Sequence, residues 1–190
     1  MTKSATRLSV RPTPLAGVVR VQRQPIGDTR GSLTRLFCAT ELAALGWDRP
    51  VAQINLTQTA RRGTVRGLHY QRAPHAEMKL VTCLRGEVWD VAVDLRPDSP
   101  TFLRWHAERL SPGNAYALLL PEGCAHGLQT LLDDTELLYC HSAAYAPDHD
   151  AGIDPMDRQL DIRWPLPVTQ LSSRDADHPS VAVALGGARA

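Results

Sequence analysis

With 190 residues, 43% hydrophobic and 22% charged, the chain is long enough for one compact domain with its own core. Its formal net charge of +1 gives no broad electrostatic case for nucleic acid or an acidic membrane surface. Four cysteines (Cys38, Cys83, Cys124, Cys140) with no C-x-x-C pair argue against a disulfide framework or a zinc site, and for a reducing, cytoplasmic setting.

In chain order, residues 1–17 hold no apolar core of signal-peptide length, and no later window reaches the length that spans a bilayer. VVRVQ and LTRLF read as strands on either side of the turn GDTRG. One short helix is expected from Thr40 to Leu45, with Thr40 as N-cap and Gly46 as its stop. VAQINLTQT, MKLVTCL, EVWDVAVDL, TFLRWHAERL, AYALLL and TELLYCHSAAY then alternate with Gly/Pro turn signals. That spacing predicts an all-β sandwich or barrel, forming a single domain over 1–190. LPVTQLSSRDADHP reads as a loop returning to the body, and 176–190 as a mobile tail.

The stretch RGLHYQRAPHAEMKLVTCLRGEVWDVAVDLR carries the chemistry. A jelly roll of this size suggests a cupin. Metal-binding cupins share a first motif of the form G-x5-H-x-H-x3,4-E-x6-G and a second, P-x-G-x2-H. Pro121, Gly123 and His126 keep the second. The first is broken: His69 and His75 are six apart and cannot stand side by side on a strand, and Lys79 occupies the carboxylate position seven residues before Gly86. A protonated lysine has no lone pair for a metal and repels a divalent cation. Lys3 and Lys79 are the only lysines among 21 Lys and Arg, and Lys79 lies in an apolar run, which singles it out. No catalytic metal or other cofactor is expected.

A histidine and a fixed cation in a dry β pocket suit proton abstraction beside a carbonyl through an enolate, with His69 as base and Lys79 stabilising the oxyanion. Tyr139, a phenol inside a strand, is a candidate acid. Asp175 is a candidate partner fixing the His69 tautomer, although spacing alone does not bring the two together. Each also has a plain structural explanation: His69 and Tyr139 as core residues, Lys79 as a surface cation snorkelling from a strand, Asp175 as a loop residue or cap, and His126 as a turn residue after PEG. His75, His106, His141, His149 and His178 read as structural or solvated.

RGLHYQ, KLV-x-C-x-x-G-x-V-x-DVAVDLR-x-x-SPTF, LP-x-G-x-AHG, the LYC strand followed by Tyr145, and IRWP together closely resemble the dTDP-4-dehydrorhamnose 3,5-epimerases, over roughly Val18 to Asp175. The resemblance implies a cupin jelly-roll β-sandwich with a few short helices that works without metal or cofactor. It implies inversion of C3 and C5 of dTDP-4-keto-6-deoxy-glucose on the route to dTDP-L-rhamnose. It assigns His69 as base, Asp175 as its support, Lys79 to the enolate and Tyr139 as acid from the opposite face. It places Arg66 and His126 at the sugar and diphosphate, and Gln53, Asn55 and Arg30 at the nucleotide. Arg35, Tyr145, Asp150 and Arg174 join them as substrate-binding candidates. It further implies a homodimer in which an N-terminal strand reaches the neighbour. Arg35 stands where the family often has Glu, while Cys124, Leu128 and Ala144 lack aromatic bulk common there, so a reshaped pocket and a different nucleotide sugar are expected alternatives. So are a single-centre epimerase, a metal-dependent cupin and a non-catalytic sugar-nucleotide binder.

Overall fold

The computed structural model of the chain describes residues 6–186. Its strands are β1 (Leu8–Pro12), β2 (Val19–Arg23), β3 (Ile26–Asp28), β4 (Gly31–Leu33), β5 (Gln53–Thr59), β6 (Val65–Gln71), β7 (Lys79–Arg85), β8 (Val88–Asp94), β9 (Trp105–Leu110), β10 (Tyr116–Leu120), β11 (Cys124–Thr130), β12 (Thr135–His141) and β13 (Asp150–Gly152). Short helices α1 (Ala39–Ala43), α2 (Ser173–Ala176) and α3 (Val181–Ala184) complete it, with one 3-10 turn at Pro147–His149. No helix among the described residues is long and apolar enough to cross a membrane.

The strands form a six-stranded sheet ordered β1-β2-β10-β7-β12-β5 and a five-stranded sheet ordered β13-β6-β11-β8-β9, with β3-β4 as a separate hairpin. Every strand pairing within the three sheets is antiparallel. The sheets face each other as a jelly-roll sandwich, and period-two alternation sorts their side chains. Val81, Cys83, Leu118, Leu120 and Leu137 of one sheet meet Val88, Ala92, Leu110, Cys124 and Leu128 of the other. The intervening positions are buried too. Leu80, Ala117, Leu119 and Cys140 pack under Leu42 and Trp47, while Leu68, Val91, Val93 and Ala125 pack under Ile153, Leu160 and Val181. With both faces covered, β7 and β11 read as near-continuous buried runs rather than as alternating ones.

Several expectations change. The helix starts at Ala39 with Cys38 as N-cap and no side-chain cap, so Thr40 lies inside it. Its place is set by Leu42, fully buried, and by Glu41, whose carboxylate accepts the backbone N–H groups of Arg7 and Leu8. Of LTRLF only Leu33 is in a strand. The stretch 176–190 is not a free tail as far as Gly186. Ser180 caps α3, Val181 is buried against the outer face of the five-stranded sheet, and its N–H donates to Asp157. Residues 187–190 lie outside the described part. All four cysteines are free.

Candidate active site

The same alternation that builds the core fixes the site. Lys79 shares the inward parity of Val81 and Cys83, Tyr139 that of Leu137, and His126 that of Cys124 and Leu128. His69 lies between Leu68 and Tyr70, which face outward, so it too points between the sheets. At this end the sandwich opens into a cavity of about 660 Å³. Eleven of the thirteen site residues expected from sequence line it: His69, Lys79, Tyr139, Asp175, Gln53, Asn55, Arg66, His126, Tyr145, Asp150 and Arg174.

Strands β6 and β11 approach unusually closely at its floor. Gly67 (φ 119°) and Gly127 face each other, and a Cβ on Gly67 would come within 2.6 Å of the Gly127 Cα. Glycine alone fits there, and the approach puts His69 and His126 directly opposite in register.

His69 Nε2 lies 2.7 Å from Asp175 Oδ1, joining β6 to α2 across 106 residues of sequence. Asp175 also accepts the Gly67 N–H, and its own N–H donates to Ser172, the N-cap of α2. Burial pushes the Asp175 carboxyl up, but its hydrogen bond and charge interaction with His69 and the Gly67 N–H outweigh it and hold it below the ordinary range. An ionised carboxylate on Nε2 keeps the proton there and leaves Nδ1 with a free lone pair.

Lys79 is almost fully buried and paired. Its Nζ lies 2.9 Å from Glu77 Oε1 and donates to the His69 carbonyl at 2.9 Å. Two of its three N–H donors are thereby engaged and one is left. Glu77 was missed in sequence; it precedes β7 by two residues and is buried beside Lys79.

Beneath them His126 Nε2 pairs with Asp90 Oδ1 at 2.8 Å. Burial raises the Asp90 carboxyl against the pull of His126 and Lys79. An acid at the third position of the apolar run VWDVAVD, Asp90, was the available signal for this pair. Tyr139 packs edge-on to His126 with ring centres 5.7 Å apart. Burial and the Asp90 charge raise the phenol further, so it stays protonated throughout the working range.

His141, expected to be structural or solvated, lines the cavity and stacks on Tyr139. Burial, then Lys79 and His126, lower it from 6.5 to about 4. With its folded-state value depressed, the unfolded chain takes up this proton first as the pH falls. The contribution to stability is therefore complete above pH 6.5 and is lost progressively towards pH 4. Urea unfolding should show a lower midpoint at pH 5 than at pH 7, and His141→Gln should remove on the order of 1 kcal/mol of that drop.

The rim is a polar chain. Arg174 pairs with Asp150, which accepts from the Tyr145 hydroxyl at 3.2 Å. The Tyr145 N–H donates to Gln53, and Gln53 donates to Asn55. Arg66 is held by Thr59 Oγ1 and the Gln58 carbonyl. Arg30 and Arg35 are not part of this cavity. Arg30 sits on the exposed β3–β4 hairpin paired with Asp28, and Arg35 pairs with Glu41 at α1. Of the positions expected to reshape the pocket, Leu128 lines it, whereas Cys124 belongs to the inter-sheet core and Ala144 only offers its carbonyl to Gln71.

A jelly roll with a histidine on one sheet, paired to a carboxylate from α2, and a buried phenol on the other sheet is a cupin equipped for proton transfer. The family model described as dTDP-4-dehydrorhamnose 3,5-epimerase matches residues 12–182. A dTDP-4-dehydrorhamnose 3,5-epimerase of Sinorhizobium fredii is 39% identical, over 88% of this chain and 86% of its own. A dTDP-4-dehydrorhamnose 3-epimerase of Streptomyces niveus is 37% identical, over 90% and 82%. The crystal structure of a dTDP-6-deoxy-D-glucose-3,5-epimerase from Legionella pneumophila, in complex with dTDP-4-keto-L-rhamnose, superposes with a TM-score of 0.88 at 35% identity, covering 93% of this chain and 94% of that one. The chain belongs to the dTDP-4-dehydrorhamnose 3,5-epimerase family.

Proposed function

We propose that the protein inverts C3 and C5 of dTDP-4-keto-6-deoxy-glucose, giving dTDP-4-keto-L-rhamnose. The observation that carries this is the 2.7 Å His69–Asp175 pair and the buried, protonated Tyr139, set on facing sheets around one cavity. The 4-keto group acidifies the C–H bonds on both sides of it. His69 Nδ1 takes the proton, and Asp175 supports the imidazolium that forms. The electron pair moves onto the carbonyl oxygen, where the third N–H of Lys79 stabilises the oxyanion. Tyr139 then delivers a proton to carbon from the other face, which inverts the centre. Arg66, Gln53, Asn55 and Arg174 supply donors for the diphosphate and nucleotide. No step calls for a metal or a cofactor.

The match to a 3-epimerase nearly as strong as that to a 3,5-epimerase favours one second reading, inversion at C3 alone. Proton NMR of dTDP-4-keto-6-deoxy-glucose incubated with the protein in deuterated water separates the two. Loss of both the C3 and the C5 proton signals is expected, loss of C3 alone would select the second reading, and no exchange would overturn both.

The same proposal includes a homodimer in the cytoplasm. Edge strand β5 turns Ile54 and Leu56 outward at 61% and 55% exposure, an apolar edge that a second copy would cover. Arg30, carried on a hairpin away from its own cavity, serves nucleotide binding only by reaching the cavity of a partner subunit.

A further inference from the structure

Beside the His69–Asp175 pair stands a second histidine that the proposed reaction does not use. His178 Nε2 lies 3.8 Å from Asp175 Oδ1, and its ring meets that of His69 edge-on with centres 5.6 Å apart. The place of the ring is built: it fills the space that Gly152 leaves, where any Cβ would come within 2.2 Å of His178 Nε2. Yet Nε2 is buried and has no hydrogen-bond partner. A buried polar atom left unpaired asks for an explanation, such as an unrecorded ligand.

We propose that His69, Asp175 and His178 form a binding site for a divalent transition metal ion, best matched by zinc, and that its occupation switches the enzyme off. One donor atom from each residue lies within 4.8 Å of the other two. Two imidazoles and one carboxylate are a standard zinc donor set, with a fourth position left for water. Zinc bonds of about 2.0–2.1 Å to tetrahedral donors require those donors to be ~3.3 Å apart. The present separations of 2.7 Å and 3.8 Å from Asp175 Oδ1 bracket that distance, so small side-chain shifts suffice. The carboxylate is already oriented by the Gly67 N–H, as outer-shell donors orient metal ligands. Neighbouring cations do not forbid the site, because Arg174 is paired with Asp150 and Lys79 with Glu77, leaving Asp175 as the uncompensated charge.

Inhibition follows from tautomer chemistry. A neutral imidazole bound to metal through Nε2 carries its proton on Nδ1. Zinc at Nε2 of His69 therefore turns the nitrogen that accepts the substrate proton into an N–H donor. The ion replaces the Asp175 hydrogen bond and removes the base at once. This second half rests on His69 being the base; the binding site does not.

Calorimetric titration of chelator-treated full-length protein with zinc chloride tests the binding directly. One ion per chain is expected, with affinity at least ten-fold weaker in both His178→Gln and His178→Ala. Absence of a one-to-one site in the wild type, or equal affinity in both variants, overturns the proposal. Cobalt(II) reads the wild type without mutation: intense visible bands of a tetrahedral site are expected, and only the feeble bands of octahedral cobalt would contradict it. Deuterium exchange into the sugar should stop with one equivalent of zinc and return with chelator. Stoichiometric zinc binding without loss of exchange would retain the site and refute the role of His69 as base, so the two failures are distinguishable.

Discussion

Replacing His69 by alanine should reduce epimerisation by about 10²–10⁴-fold while leaving the protein folded, because a positioned general base contributes on that scale. The side chain is one-third exposed and its one strong partner is Asp175. The Asp175 carboxylate keeps the Gly67 N–H and gains access to water in the open cavity, so the truncation leaves no sealed, unpaired charge. Circular dichroism and a urea midpoint near that of the wild type would establish that the loss is chemical. Turnover close to the wild-type rate would remove His69 from the role of base. Asp175→Asn should follow in the same direction and on a comparable scale, since an amide in place of the carboxylate favours the wrong tautomer even though the imidazole stays in place.

Tyr139→Phe separates two events that the wild type joins. The ring lies in the inter-sheet core against His126, and phenylalanine preserves that packing, losing only the hydroxyl. Proton abstraction by His69 should continue, so deuterium still enters at C3. Without the phenol on the facing sheet the carbanion is reprotonated on the side from which it lost its proton. The expected result is labelled starting sugar with configuration retained, and inverted product down by about 10²–10⁴-fold. Product at the wild-type rate would mean that another group, or water, supplies the second proton.

The fold was legible wherever apolar runs end in glycine or proline, which covers most strands of the two sheets. β11 escaped because CAHGLQT mixes His, Gly and Gln into a strand buried on both faces, so neither alternation nor a continuous apolar run marks it. β13 and the C-terminal helices escaped because three or four residues carry no periodic signal. Lys79 stood out by its rarity and its apolar neighbours, Tyr139 as a phenol inside a strand, and His126 by the P-x-G-x2-H motif. The partners did not. Glu77, Asp90 and His178 are ordinary residues in sequence, and their importance comes from burial and from elements brought together in three dimensions. Asp175 was a candidate partner of His69 from its chemistry and from the resemblance, but not from spacing, because 106 residues of chain separate them. Arg30 and Arg35 lie outside the cavity of their own chain, on the β3–β4 hairpin and beside α1, a placement that position along the sequence does not reveal.

The separation of His69 and Asp175 along the chain has a consequence for synthesis. Every strand of both sheets ends by Gly152, yet the carboxylate that orients the base is carried on α2, near the C-terminus. A nascent chain can therefore complete its β architecture while it still lacks a competent site. A chain that stops short of Asp175 lacks that carboxylate, the Arg174 that pairs with Asp150 at the rim, and the Val181 that packs on the five-stranded sheet. Completion of the site therefore waits on a segment that adds no strand to either sheet, so the order in which the chain emerges places the fold before the chemistry.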